Sequence, residues 1–114
     1  MITEFIIEEI NNNTIVRVQL ERATLSKATL LRETVDNLIN IGKNKLIIDC
    51  RNVSFMDSTF LGSLVVSLKK MNSINGKLLL VFGKKSSLVL SMLESTKMIK
   101  IFNVFYSLEE ALNS

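Results

Sequence analysis

Two wholly apolar runs, Leu46-Ile47-Ile48 and residues 78–82, bracket a stretch of clear helical periodicity. Runs without a polar face suit strands covered on both sides of a sheet. Between them Leu61, Leu64, Val65, Leu68 and Met71 recur at three- and four-residue steps. This spacing predicts a helix over residues 58–74 with one buried stripe, stopped by Asn75-Gly76. Strand, helix and strand in that order demand a parallel pair joined by a right-handed crossover. That unit fixes the fold class as α/β before any other segment is read.

The flanking segments fit around it. Residues 4–10 and 14–20 read as two β strands reversing through Asn11-Asn12-Asn13, because asparagine tolerates the left-handed backbone of a tight turn. In the second strand Val16, Val18 and Leu20 share one face, with Arg17 and Gln19 on the other. Ala28, Leu31, Val35, Leu38 and Ile39 give a helix over residues 26–41, and Gly42 is placed to end it. A shorter helix uses Leu88, Val89, Met92 and Leu93, and residues 99–102 read as a short edge strand. Ser107 and Glu110 have capping-box spacing, so a last short helix closes the chain. The expected architecture is one domain over residues 1–114, with a mixed sheet of four to five strands. About four helices pack mainly on one face of it.

Composition removes several functions. The 114 residues include no histidine, which excludes Ser-His and Cys-His nucleophiles, a phosphohistidine relay and imidazole-based zinc sites. The single Cys50 cannot close an internal disulfide and ends an apolar run, so it reads as a small buried side chain. The net charge of +3 is spread over separated lysines, with no Trp and one Tyr. A basic, aromatic-interleaved nucleic-acid surface is therefore not expected. The longest apolar run falls far short of the roughly 20 residues that span a bilayer. The acidic N-terminus lacks the pattern of a secretory signal. A cytoplasmic protein with no direct membrane insertion, no metal and no cofactor is the expectation.

One short segment carries the functional reading. Asp57 is a good N-cap, and Ser58 and Thr59 fall in the first turn of the predicted helix. A helix start stabilises added negative charge through its dipole and free N–H groups. No base stands beside Ser58 in sequence, so its hydroxyl is a poor catalytic nucleophile and an outside kinase would have to modify it. Asp49 and Asp57 together invite comparison with a phosphorylatable-aspartate receiver site binding magnesium. The first strand leads into a hairpin rather than a helix, which argues against that reading.

The segment Val53-Ser54-Phe55-Met56-Asp57-Ser58-Thr59-Phe60-Leu61-Gly62 resembles the loop and helix start of the STAS family, the anti-sigma factor antagonists. The resemblance extends to the paired N-terminal strands, to residues 20–25 before the first helix, and to residues 77–82 and 104–112. It implies that Ser58 is the phosphoacceptor, with Thr59 as the fallback. It also implies that Asp57, Ser58, Thr59, Gly62 and Ser63 meet the partner. That partner is a serine kinase that also acts as the anti-sigma factor. It is bound by the unphosphorylated protein and released after phosphorylation, and a PP2C-type phosphatase resets the cycle. No enzymatic activity of the chain itself is implied, and self-association is left open.

The exposed flank Thr59, Ser63, Val66, Ser67 and Lys70 is the expected docking face. Phe60 stands where the family usually has glycine, and Glu21-Arg22 where a glycine often precedes the first helix. An aromatic at position 60 could narrow kinase access or pack beneath the loop. The alternative function is a STAS scaffold subunit of a transport or signalling complex, in which Ser58 only starts a helix.

Overall fold

The computed structural model describes residues 4–114. The first three residues, on which part of the N-terminal signal argument rests, lie outside the described residues. Strands β1 (Phe5–Ile10) and β2 (Asn13–Val18) form an antiparallel hairpin. Its two-residue turn, Asn11-Asn12, has φ of 50° and 66°, the left-handed pair that matches strand twist. Asn13, expected in the turn, instead opens β2. Its buried amide donates to the Ile10 carbonyl at 3.1 Å.

The remaining elements follow in order: β3 (Arg22–Ala23), α1 (Leu25–Asn40), β4 (Lys45–Asp49), β5 (Phe55–Met56), α2 (Ser58–Ser73) and β6 (Lys77–Val81). Then come α3 (Ser87–Ser95), β7 (Asn103–Phe105) and α4 (Leu108–Leu112). The main sheet runs β1-β2-β4-β6-β7, parallel from β2 onward. Its two faces divide as the apolar runs require. Val16, Leu46, Ile48, Leu78 and Leu80 join the core under α1, α2 and α3. Ile15, Ile47 and Leu79 pack instead with Ala111 of α4. Three helices thus cover one face and the short α4 covers the other. Ser107 caps α4, its hydroxyl accepting from the Glu110 amide at 3.1 Å.

Gly42 at φ 89° ends the turn after α1. After α2, Asn75 takes the left-handed position at φ 58°. Gly76 serves a different need, since a Cβ there would lie 2.8 Å from the Asn44 carbonyl oxygen.

Two expectations about local structure are corrected. Residues 99–102 are not the edge strand, because Lys97 at φ 62° turns the chain into a single 3-10 turn, Met98–Lys100. The ladder with β6 begins later, at Asn103 opposite Leu79. The apolar residues there signalled burial, which Phe102 achieves without extended pairing. In α3 only Val89 and Leu93 are fully buried, and Leu88 is 68% exposed. A helix of two and a half turns has room for one stripe, and Leu88 lies beside it.

Candidate functional site

The loop before α2 is stitched to the segment before α1. The Glu21 carbonyl accepts from the Ser54 amide at 2.8 Å, the Phe55 amide at 3.1 Å and the Ser54 hydroxyl at 3.2 Å. The two-residue strands β3 and β5 then pair in parallel, Arg22 opposite Phe55 and Ala23 opposite Met56. The Asp57 amide closes the series on the Ala23 carbonyl at 3.1 Å. This small ladder brings the starts of two helices side by side.

Asp57 joins them directly. Its Oδ1 accepts from the Phe60 amide of α2 at 2.9 Å, and its Oδ2 accepts from the Leu25 amide of α1 at 2.8 Å. One carboxylate therefore satisfies first-turn donors on two helices and sits at both positive dipole ends. Thr24, at the N-cap position of α1, makes no side-chain cap of its own. The sequence pointed to Asp57 as a cap for α2; its bond to α1 crosses 32 residues and left no local sign.

Ser58 occupies the first helical position, directly after this clasp, and is exposed together with Thr59 and Gly62. Phe60 is fully buried in the main core. It packs beneath the loop and leaves Ser58 accessible. Arg22 is exposed in β3, with its guanidinium 4.2 Å above the centroid of the Phe55 ring.

The expected docking flank is corrected in part. Ser63 is 4% exposed and Ser67 is 1% exposed. The Ser63 hydroxyl donates to the Ala28 carbonyl of α1 at 3.0 Å. Lys70 reaches across to Asp36 at 2.6 Å. The small Ser63 side chain lets the two helices approach, so the hydroxyl type misleads as to exposure. Ser63 and Ser67 are therefore not part of an exposed face, while Thr59, Val66 and Lys70 stay exposed.

On the other side of α2 an open apolar groove of about 300 Å³ is lined by Ser58, Leu61, Gly62, Val65, Thr96 and Met98. Leu61 and Val65 were legible only as parts of the buried stripe. Thr96 and Met98 follow α3, and only the tertiary fold brings them to this wall.

Asp49 is a structural residue. Its carboxylate takes two bonds from the Arg51 guanidinium, at 2.9 and 2.8 Å, and one from the Arg51 amide at 3.1 Å. Arg17 approaches to 3.7 Å. Neither Asp49 nor Asp57 is left with an unengaged carboxylate. Among the described residues no group of three Cys, Asp or Glu side chains gathers around a common point. Cys50 is fully buried, and desolvation together with the neighbouring Asp49 charge raises its thiol pKa well above the ordinary value. It is inert packing rather than a reactive thiol.

The fold and this helix start define a class. The sequence model of the STAS domain matches residues 4–111, and the chain belongs to that family. Solved structures share the architecture. The Thermotoga maritima protein TM1081 aligns with a TM-score of 0.81 at 23% identity, covering 100% of this chain and 90% of that one. An anti-sigma factor antagonist from Mycobacterium paratuberculosis aligns at 0.81 and 20% identity, over 96% and 90% of the two chains. The Bacillus cell fate determinant SpoIIAA in its phosphorylated form aligns at 0.71 and 17% identity, over 96% of each chain. SpoIIAA, an anti-sigma factor antagonist, is also known in its unphosphorylated form. At these identities the likeness establishes the fold. No described helix is long and apolar enough to cross a membrane.

Proposed function

We propose that this protein is a cytoplasmic anti-sigma factor antagonist, a binding module without catalysis of its own, switched by phosphorylation of Ser58. The unphosphorylated form binds a serine-kinase anti-sigma factor, and the phosphorylated form releases it. A PP2C-type phosphatase restores the binding form. The observation that carries this reading is the exposed Ser58 hydroxyl at the first position of α2, directly after Asp57. That SpoIIAA exists in phosphorylated and unphosphorylated forms supports the same kind of switch.

The physics separates binding from folding. Phosphorylation adds a charge of about −1.5 to −2 at neutral pH. At the start of α2 that charge meets the positive end of the helix dipole, so the fold tolerates it. Across a docked surface the same dianion must shed water, at a cost of several kcal/mol when no cation awaits it. A loss of about 4 kcal/mol is a thousandfold in affinity.

Incubation of the protein with ATP and a kinase-type anti-sigma factor is expected to add about 80 Da, one phosphoryl group. The addition should vanish in Ser58→Ala. Phosphate on Thr59 alone would move the site by one residue. No phosphate with any such kinase would favour the scaffold-subunit reading. Ser58→Asp should keep the wild-type fold by circular dichroism and lose kinase binding.

A further inference from the structure

Strand β1 forms one rim of the main sheet, and among the described residues nothing pairs with its outer side. The Gln19 amide donates to the Glu4 carbonyl at 2.7 Å, which sets the phase of the antiparallel ladder. Residues 4, 6, 8 and 10 therefore direct their main-chain groups at β2, whereas Phe5, Ile7 and Glu9 direct theirs outward. A free row of this kind is a template for a further strand, and lysine, proline or a bulge on the edge normally prevents such pairing. The six residues of β1 include no lysine and no proline, and their register with β2 runs without a bulge. The opposite rim, β7, has only three residues.

Charge does not guard this edge either. Each of its acids is held by a cation of its own chain: Glu4 by Lys27 at 2.7 Å, Glu8 by Arg17 at 3.0 Å and Glu9 by Lys43 at 3.3 Å. Ile6 and Ile7, on opposite faces of the strand, remain 37% and 42% exposed. Ile7 lies opposite Val16, on the face that the long helices cover. Its exposure shows that α1 stops short of the rim and leaves room beside it.

We propose that this edge joins two copies of the protein, β1 against β1 in antiparallel pairing about a two-fold axis through Ile7. The segment is self-complementary in that register. Outward-facing residues must lie opposite one another to exchange both hydrogen bonds. With Ile7 on the axis it faces Ile7 of the second copy, and Phe5 faces Glu9 on either side, so every outward N–H and C=O of the strand finds a partner. No acid then lies opposite an acid, because Glu8 faces Ile6 and Glu4 faces Ile10. Sliding the pairing one step either way sets Glu4 opposite Glu8, or Glu8 opposite its own copy, and like charges directly opposite destabilise a ladder. The joined sheet reverses direction at the axis. The two Ser58 positions therefore come to its opposite ends, away from the shared edge.

Sedimentation equilibrium of the purified chain tests the pairing, and no kinase is needed. The weight-average mass should climb toward twice the chain's 12.9 kDa as concentration rises to about 1 mM. Ile7→Lys places two cations on the axis and should stay monomeric with an unchanged circular dichroism spectrum, whereas Leu88→Lys, at another exposed apolar position, should still dimerise. Cysteine variants read the register, since the native Cys50 is buried. In Ile7→Cys the paired Cα atoms lie about 5.5 Å apart, within disulfide reach. In Glu8→Cys they lie about 8 Å apart, beyond it. Oxidation should therefore cross-link the first variant and not the second. A wild type that remains monomeric throughout overturns the inference. So does a dimer that survives Ile7→Lys, or a cross-link that forms at position 8 instead of position 7.

Discussion

Removing the Asp57 carboxylate should loosen two helices at once. In Asp57→Ala the Phe60 amide loses its 2.9 Å acceptor and the Leu25 amide its 2.8 Å acceptor. Loss of a helix N-cap costs about 1 kcal/mol, within a range of about 0.5–2. The second bond lies at an exposed helix start, where water replaces the acceptor, and it adds roughly 0.5–1 kcal/mol. The total is about 1.5–2 kcal/mol, read as a lower midpoint with unchanged slope in urea unfolding. Asp57→Asn separates the two arms. Its amide oxygen can still cap α2, since asparagine is as good a cap as aspartate, but its NH₂ then faces the Leu25 amide, donor against donor. About half the loss should remain, with faster hydrogen exchange at Leu25 and near-native exchange at Phe60. A loss below about 0.5 kcal/mol in Asp57→Ala would refute the two-helix clasp. Unchanged exchange at Leu25 in both variants would refute it as well.

Two further outcomes can be checked on the same unfolding curves. The buried Ser67 hydroxyl finds no hydrogen-bond partner among the described residues, so Ser67→Ala should leave stability unchanged or raise it by up to about 1 kcal/mol; a clear loss would reveal an acceptor for it. Glu4 and Glu9 have pKa values held below the ordinary 4.5, Glu4 mainly by the hydrogen bond from Lys27 and Glu9 mainly by that from Thr14. A depressed folded pKa gives stability that is present above the unfolded value and is lost as pH falls through the folded one. The unfolding midpoint should therefore decline below about pH 5, and Glu9→Gln should make that decline shallower. A decline of equal steepness in Glu9→Gln would show that its bonds to Thr14 and Lys43 add nothing to the native state.

Local pattern made much of the architecture legible. The three-and-four spacing of α1 and α2, the two-faced apolar runs of β4 and β6, and the paired asparagines of the hairpin each state their conformation within a few residues. Where several readings share one pattern, the sequence misleads. Of the apolar residues at 99–102 only Phe102 is fully buried, and an apolar run does not distinguish a 3-10 turn from a strand. Ser63 and Ser67 are polar by type yet buried, Ser63 against α1, where small size matters more than the hydroxyl. The β3–β5 ladder has only two residues per strand, too few for any periodicity to announce it.

The Asp-Ser dipeptide and its place before a periodic helix are properties of the chain alone. They suffice to put a hydroxyl at a helix start, because capping and dipole effects act within one turn. What surrounds that hydroxyl is decided only when distant segments meet. The bond from Leu25 to Asp57, the burial of Phe60 beneath the loop, and the apolar wall supplied by Met98 all come from parts of the chain tens of residues apart. Chain order carries no record of which side chains will face one another across a packed core, and packing settles that question.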